Sequence, residues 1–210
     1  MDEYQLLIQT LALTMGAAWA SGFNLYATIL MLGLGSQFGY VDLPESLDIV
    51  QDPMVLLAAG AMYFVEFFVD KTPGVDTGWD TLHTFIRIPA GAALAAGAVM
   101  DVSPALAVAA GIVGGGITSA SHLTKAGTRA VANTSPEPFS NWGLSIGEDV
   151  AVFGGLALMI QHPLVFIVLV VLFIAFAIWV IPKLWRLIKT IFQKVRSWFP
   201  SKPTPQLPPQ

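Results

Sequence analysis

Cysteine is absent from the 210-residue chain, and charged side chains are scarce. Without cysteine, disulfide frameworks, thiolate metal sites and thiol nucleophiles are all excluded. Aspartate, glutamate, lysine and arginine make up 11% of the residues, against about 25% in ordinary soluble proteins. So few charges cannot solvate the surface of a globular domain. With 55% hydrophobic residues and a mean hydropathy of +0.68, the composition indicates an integral membrane protein.

Basic residues are fewer than acidic ones, ten against fourteen, which gives a formal net charge of −4. They form no stripe that could neutralise a phosphate backbone, so no nucleic-acid partner is predicted. Six of the ten follow Pro182, which places the C-terminus in the cytoplasm by the positive-inside rule. An even number of spans then returns the N-terminus to the same side. The predicted location is the plasma (inner) membrane, with the lipid bilayer as the first partner.

Uncharged stretches set the number of spans, because a hydrocarbon core of about 30 Å needs about 20 helical residues. Prolines at 53, 104 and 163 each mark a helix start. Together they predict an all-α, polytopic transmembrane helix bundle with six spans. The spans lie near residues 8–34, 53–70, 86–100, 104–120, 142–161 and 163–183. Within the first, residues 21–24 are the expected place for a bend, although one long tilted helix fits the pattern equally.

The chain divides into a transmembrane domain over residues 1–183 and a short basic tail. Residues 184–199 interleave apolar and basic side chains at helical spacing, which predicts an amphipathic helix on anionic lipid. A continuation of span six fits the same pattern. Residues 200–210 are rich in proline and are predicted to be disordered. Small residues spaced by four, Gly111 with Gly115 and Gly143 with Gly147, predict close helix packing or a homo-oligomer interface.

Ionisable residues concentrate in two clusters inside or beside the spans, where each is costly unless it faces a cavity or a partner. In the first cluster Glu66 and Asp70 are one helical turn apart, with Lys71 as their nearest expected counter-ion. The residues that follow recur at intervals of four, three and four, which predicts one helical face. They are Asp76, Asp80, His83 and Arg87. A solvated cytoplasmic surface helix is the alternative for this face.

The second cluster contains three residues at helical spacing, followed by an amide and two acids. They are His122, Lys125, Arg129, Asn133, Glu148 and Asp149. Because an unpaired carboxylate within a span is costly, we expect Glu148 and Asp149 to pair with Arg87, Lys125 or Arg129. Prolines 136 and 138 interrupt any helix, which predicts a re-entrant or irregular segment near residues 121–141, or else an ordinary loop. Three spans in each half of the chain would, if the halves are related, form a 3+3 inverted repeat.

Long segments of both clusters resemble an uncharacterised prokaryotic membrane family called domain of unknown function 4126. The segments are VEFFVDKTPGVDTGWDTLHTFIRIPAGA, KAGTRAVANTSPEPFSNW with the following GED, and the earlier ASGFNLYATILMLGL. The resemblance covers about residues 8–175. It implies that these polar segments belong to the family's pattern and brings no activity with it.

The leading functional hypothesis is a transporter or channel for a small solute or ion, with a polar cavity of paired acids and bases. No catalytic residue and no cofactor are predicted. The predicted pathway residues are Glu66, Asp70, Asp76, Asp80, His83, Arg87, His122, Lys125, Arg129, Asn133, Glu148 and Asp149.

Two other classes remain open from the sequence. A membrane enzyme acting on a lipid phosphate or diphosphate would hold Mg²⁺ between the acidic pairs, with Lys125 and Arg129 on the phosphate. Asp76, Asp80 and His83 are weak candidates for a transition-metal site. A non-catalytic scaffold would use the basic tail and the proline-rich end to bind partners.

Overall fold

The computed structural model describes residues 3–134 and 139–197, without the side chains of 192 and 194–197. The proline-rich end and the prolines at 136 and 138 lie outside this part. The described residues form six α-helices and one 3₁₀ segment and contain no strand, so the all-α prediction is confirmed. In chain order they are α1 (Glu3–Gln37), the 3₁₀ segment (Glu45–Gln51), α2 (Pro53–Val69), α3 (Val75–Met100), α4 (Pro104–Ala132), α5 (Phe139–Gln161) and α6 (Pro163–Ser197).

Five of these helices, α1 and α3 to α6, are long and apolar enough to cross a membrane. The sixth, α2, has 17 residues and qualifies only together with the 3₁₀ segment, from which it is bent by 60°. The protein is therefore a polytopic membrane protein with five spans, or six if this bent pair is one span. The predicted helix starts at Pro53, Pro104 and Pro163 are confirmed. At the first of them, Asp52 accepts hydrogen bonds from the amides of Met54 and Val55 at 2.7 and 3.3 Å.

Two helices extend beyond the predicted spans, for the same reason. The predicted helical face over residues 76–87 is part of α3, which begins at Val75, ahead of the span predicted near 86–100, and α4 continues to Ala132, beyond the span predicted to end near 120. Residues 121–132, predicted to be re-entrant or irregular, are thus the last three turns of α4. In both places the charged residues were taken to lie outside a span. They extend the helices because they are neutralised by one another inside the bundle.

Helix α1 is the central element and packs against each of the other five helices. Its Trp19 meets Phe166 and Phe173 of α6 edge to face, and its Phe23 meets Phe173, with ring centroids 5.6–6.2 Å apart. Helix α1 also approaches α4 closely at Gly22. A Cβ at this position would lie 2.4 Å from the Cβ of Ser121 and 2.5 Å from the carbonyl oxygen of Thr118. Backbone contact at small residues therefore brings α1 and α4 together.

The predicted glycine pairs behave differently. Gly111 and Gly115 face α3, where a Cβ would lie 3.4–3.5 Å from Ala92 and Ala96. A Cβ at Gly143 or Gly147 of α5 would meet nothing within 4 Å. The first pair thus serves packing within the chain, whereas an oligomer interface at the second stays a prediction. Helix α6 continues without interruption through Pro182 to Ser197, and its placement on a lipid surface also stays a prediction.

At the end of the bundle opposite the basic tail, the turn after α3 is tied to the 3₁₀ segment. The carboxylate of Asp101 accepts hydrogen bonds from the hydroxyl and the amide of Ser46. These bonds favour the ionised carboxylate and lower the pKa of Asp101 below its usual value. The stabilisation they give is present at neutral pH and is lost as the pH falls through that lowered pKa.

The contact at Gly22 predicts a specific sensitivity to one methyl group. In Gly22→Ala the new Cβ would force α1 away from α4, and overpacking of this kind costs about 1–3 kcal/mol. We expect a clearly lowered thermal midpoint, followed by tryptophan fluorescence of the detergent-solubilised protein. Gly116→Ala is the matched control, because a Cβ there meets nothing within 4 Å. Equal midpoints for the two variants would contradict the close approach.

Candidate functional site

Eight ionisable side chains from four helices meet in one buried group, which we call the charge cluster. Asp70 follows directly on α2, and the other seven lie within α2 to α5. The eight are Glu66, Asp70, Asp76, Asp80, Arg87, Lys125, Arg129 and Glu148. Seven are buried, and only the Glu148 side chain reaches 11% exposure. Five acids against three bases give the fully ionised cluster a formal charge of −2. Ion pairs join the two sequence clusters as predicted, and Glu148 pairs with Arg129. The expectation that Asp149 pairs with Arg87, Lys125 or Arg129 was wrong for the described residues.

Arg87 joins α3 to α2. Its guanidinium donates to Glu66 and, over 3.1 Å, to Oδ1 of Asp80. The side chains of Arg87 and Glu66 are completely buried. Taking such charges out of water costs several kcal/mol per ion, so each requires its partners. The predicted face of α3 is confirmed in its geometry, and its alternative as a solvated surface is wrong because Asp76, Asp80, His83 and Arg87 are all buried.

Lys125 lies at the centre and binds three oxygens from two helices. Its Nζ is 3.0 Å from Oε1 of Glu66, 2.9 Å from Oδ2 of Asp70 and 3.0 Å from the carbonyl oxygen of Phe23. These three acceptors match the three N–H groups of an ammonium. Oε2 of Glu148 and Oδ1 of Asp80 lie further away, at 3.6 and 3.9 Å.

The carbonyl of Phe23 is free to bind Lys125 because α1 breaks at the next residue. Asn24 has φ −150° and ψ 98°, well outside the helical range. Its side-chain oxygen accepts from the amide of Ala27 at 2.9 Å. In a regular helix that amide would donate to Phe23. Asn24 therefore caps the second half of α1 and releases a backbone acceptor toward the cluster, which confirms the predicted bend.

Arg129 connects α4 to α2 and α5 and forms the most extended set of bonds. Its Nε and Nη2 each donate a hydrogen bond to one carboxylate oxygen of Glu148, at 3.3 and 2.5 Å. The Nη2 atom also donates to Oδ2 of Asp70 at 3.1 Å, and Nη1 to the carbonyl of Asp70 at 2.6 Å. The carboxylate of Asp76 lies 3.7 Å from Nη1. A forked grip of this kind requires arginine and fixes the position of Glu148.

Two asparagines extend the cluster toward the start of α3. Asn133 donates to both oxygens of Asp76, at 2.8 and 3.0 Å. Asn141 of α5 donates in turn to the side-chain oxygen of Asn133 at 2.5 Å. Asn133 was among the predicted pathway residues, and the structure brings it to the cluster. Asn141 was missed, because an amide at a helix start gives the same sequence signal whether it caps a helix or binds another side chain.

Both predicted histidines adjoin the cluster as neutral rings. Nδ1 of His83 lies 2.9 Å from the carbonyl of Trp79, which can only accept, so Nδ1 carries the proton. Its Nε2 then accepts from the hydroxyl of Tyr26 at 3.0 Å. Nδ1 of His122 accepts from Arg87 at 3.4 Å. The proton of His122 is therefore on Nε2, which donates to the hydroxyl of Thr84 at 2.7 Å.

Lys71 and Asp149 lie beside the cluster rather than in it. The expectation that Lys71 is the counter-ion of Glu66 and Asp70 was wrong, since Arg87, Lys125 and Arg129 fill that role. Lys71 donates to the carbonyl of Phe67 and to the hydroxyl of Ser145, and sits over the Phe67 ring. Asp149 makes no ion pair within the described part of the chain. It lies within electrostatic reach of Tyr63 and Lys71.

Several carboxylate oxygens of the charge cluster have no hydrogen-bond partner among the described residues. Oε2 of Glu66, Oδ1 of Asp70 and Oδ2 of Asp80 are buried without a hydrogen-bond partner among the described residues. Buried polar atoms without a partner are rare and costly. These unpartnered acceptors outnumber the single unpartnered donor of the cluster, Nε of Arg87.

The cluster occupies one half of the bundle and reaches far into it. Asp76 and Arg87 are eleven residues apart on α3, which corresponds to about 16 Å. Beyond the cluster the helices close on one another, where Thr118 donates to the carbonyl of Ala18 at 2.9 Å and faces Gly91. The Glu148 side chain is the most exposed of the cluster. The polar region thus lies toward the end of the bundle where α3 begins and α4 ends, and small residues pack together beyond it.

Comparison with known proteins gives a family but no activity. The family model described as a domain of unknown function, DUF4126, matches residues 11–183. The chain belongs to the DUF4126 family. No curated protein and no solved structure matches it. All eight residues of the cluster lie within the part of the chain that this DUF4126 match covers. Because the family description names no function, only the chemistry of these residues indicates their roles.

The geometry of this DUF4126 protein bears on the metal candidates from the sequence. No group of three or more histidine and carboxylate side chains in the described residues is arranged to hold a metal ion. Asp76 is bound by Asn133, Asp80 by Arg87, and His83 by Tyr26. The three do not converge on a common point.

Arg129 allows a direct test of the cluster's energetics. Arg129→Met removes the cation that holds Glu148 and Asp70, and breaking a buried ion pair costs about 3–5 kcal/mol. We expect a loss of this size in unfolding of the detergent-solubilised protein by added SDS. Arg186→Met is the matched control, because that exposed arginine only donates to the carbonyl of Pro182. If both variants lose the same stability, the ion pairs of Arg129 contribute nothing to the fold.

Proposed function

We propose that the protein moves a small solute or ion across the membrane, with protonation of the charge cluster as the coupling step. The observation that carries this proposal is the imbalance of five buried carboxylates against three buried cations. A cluster kept only for structural strength has no need of surplus acid, since every unbalanced charge in a membrane interior destabilises the fold. Surplus carboxylates that gain and lose protons supply a charge change inside the membrane protein.

The placement of the cluster supports transport. A transported solute must reach its site from one side at a time, and the cluster lies toward one end of the bundle while small residues pack closely beyond it. The helix break at Asn24 lies between these two regions. Broken helices at the level of a buried site are typical of transporters, because their freed backbone groups bind the cargo.

Glu148 is the proposed entry point for protons. Its side chain is the most exposed of the cluster and touches both Arg129 and, at 3.6 Å, Lys125. Protonation of this carboxyl weakens both contacts at once and so alters the links of α5 to α4. In the proposed orientation, with the C-terminus in the cytoplasm of a plasma (inner) membrane, the cluster lies in the cytoplasmic half of the bundle.

The lipid-phosphate enzyme receives less support from the geometry. Lys125 and Arg129, the proposed phosphate-binding groups, are both buried in bonds to carboxylates. A phosphate would have to displace those acids. No observation favours the scaffold class over transport.

Proton movement in liposomes tests the proposal. Liposomes that contain the protein and a pH-sensitive dye are expected to take up protons faster than protein-free liposomes under an inside-negative potassium diffusion potential. Proton transfer by a placed side chain typically accounts for about a hundredfold in rate, so we expect Glu148→Gln to slow uptake at least about tenfold. This variant keeps its shape, and Arg129 retains Asp70, so folding is preserved.

Glu45→Gln makes the same chemical change on an exposed residue of the 3₁₀ segment and should leave uptake unchanged. The assay is repeated with sodium, ammonium, chloride, phosphate, amino-acid and sugar gradients to detect coupled solutes. Full uptake in Glu148→Gln would remove this residue from the mechanism. The absence of protein-dependent proton movement under all these gradients would overturn the proposal.

A further inference from the structure

The first half of α1, residues 3–23, runs in the same direction as α4. The carbonyl of Ala18 accepts a hydrogen bond from Thr118 at 2.9 Å, and the carbonyl of Phe23 accepts one from Lys125 at 3.0 Å. Because the residue numbers rise together, this half begins where α4 begins. We call the end of the bundle where α3 ends and α4 begins the outer end, because the basic tail of α6 lies at the opposite end.

The second half of α1, residues 25–37, runs back to the outer end. At its start the hydroxyl of Tyr26 is 3.0 Å from Nε2 of His83, which lies near the beginning of α3. At its end the side chain of Gln37 donates to the carbonyl of Gln51 at 2.8 Å. Gln51 belongs to the 3₁₀ segment, which is bonded to the turn after α3. The second half therefore follows α3 from its beginning to its end.

A cavity of about 400 Å³ at the outer end shows that the two ends of α1 lie close together. Its lining includes Leu6 and Leu13 of the first half, Tyr40 and Leu43, which follow the second half, and Val102, which follows α3. In an unbroken helix Leu13 and Tyr40 would be about 40 Å apart. The chain therefore reverses its direction at the break in α1.

We propose that α1 is a re-entrant helical hairpin that enters from the outer side of the membrane, turns at Asn24 and seals the charge cluster from that side. The helices that cross the membrane are then α2 to α6. Helix α1 has enough residues to cross, but its second half is only about 20 Å long, which is short of the hydrocarbon core of about 30 Å. This inference goes beyond transport and does not depend on it.

The tip of the hairpin has the burial that irregular backbone requires. Non-helical backbone at membrane depth is stable only where it is buried in protein or lines a cavity. Every residue from 16 to 25 is buried. Helix α4 continues beyond Lys125 to Ala132, about 10 Å further, so the tip stops inside the bundle. The buried stretch of residues 16–25 thus separates the outer cavity from the charge cluster.

The distribution of charge agrees with this orientation. The chain has no lysine or arginine before Lys71, and the loop and 3₁₀ segment after α1 carry Asp42, Glu45 and Asp48. By the positive-inside rule a segment without basic residues suits the outer side. A cytoplasmic N-terminus was expected because α1 was counted as a span. With α1 as a hairpin, its start lies on the side opposite the basic tail of α6.

Cysteine labelling in cells that express the full chain tests the path of α1, because the chain has no cysteine of its own. Glu3→Cys and Tyr40→Cys place single thiols at the two ends of α1, and Lys189→Cys places one on α6. All three positions are exposed. We expect a membrane-impermeant maleimide to label the first two variants as fully in intact as in permeabilised cells. Lys189→Cys should be labelled only after permeabilisation.

Labelling of Glu3→Cys and Tyr40→Cys from opposite sides of the membrane would show that α1 crosses it and would overturn the hairpin. Labelling of Glu3→Cys and Lys189→Cys from the same side would overturn it as well. Neither result depends on proton movement in liposomes, so the hairpin and the proposed transport can fail separately.

The seal is tested with two nearly isosteric variants and a small membrane-impermeant methanethiosulfonate added to intact cells. Thr10→Cys lies in the lining of the outer cavity, whereas Ser21→Cys lies in the buried stretch. A buried thiol reacts only when the helices open locally, so we expect Ser21→Cys to react at least about tenfold more slowly than Thr10→Cys. Equal rates for the two thiols would show that α1 does not seal the cluster.

Discussion

Three buried cations bind five carboxylates, and the arrangement of α2 to α5 depends on these ion pairs. Each cation bridges acids that belong to different helices, so no helix can shift without exposing a charge to the apolar interior. Lys125 and Arg129, one turn apart on α4, share the single oxygen Oδ2 of Asp70. The ion pairs therefore act as one network rather than as separate bridges, and a change at any member is felt by the others.

The break in α1 follows from the same requirement. In a regular helix the carbonyl of Phe23 would already accept from the amide of Ala27. Asn24 diverts one amide to its side chain and so frees the carbonyl of Phe23. The central helix thus gives up one internal hydrogen bond, and the buried ammonium gains its third partner. The single non-helical residue of α1 thus lies where the freed backbone carbonyl can bind a buried charge.

Much of this architecture could be predicted from residue types and spacing. Proline before apolar runs located three helix starts, and the four-residue spacing of Glu66 and Asp70, like that of Lys125 and Arg129, placed each pair on one face. The ends of α3 and α4 could not be found, because charge is read as a sign of solvent. Only the three-dimensional position of the opposite charge shows that a charged side chain is neutralised within the bundle.

The candidate site shows the same limit. The sequence indicated which side chains would meet. It assigned the adjacent Lys71 as the counter-ion of Glu66 and Asp70, which was wrong because neighbours in sequence can point to different sides of a helix. The carbonyl of Phe23 carries no side-chain signal at all, and its role depends on Asn24, which the sequence marks only as a bend. Asn141 and Tyr26 were missed because neither is charged.

The division of charge between helices has a consequence for biosynthesis. The first two acids of the cluster belong to α2 and its end, whereas two of its three bases are on α4 and the last acid on α5. A chain inserted from its N-terminus therefore presents Glu66 and Asp70 to the membrane before Lys125 has been translated. With only 17 residues and a bend before it, α2 is poorly suited to enter lipid by itself. Its stable insertion must wait for α4, so the order of synthesis and the order of burial differ in this protein.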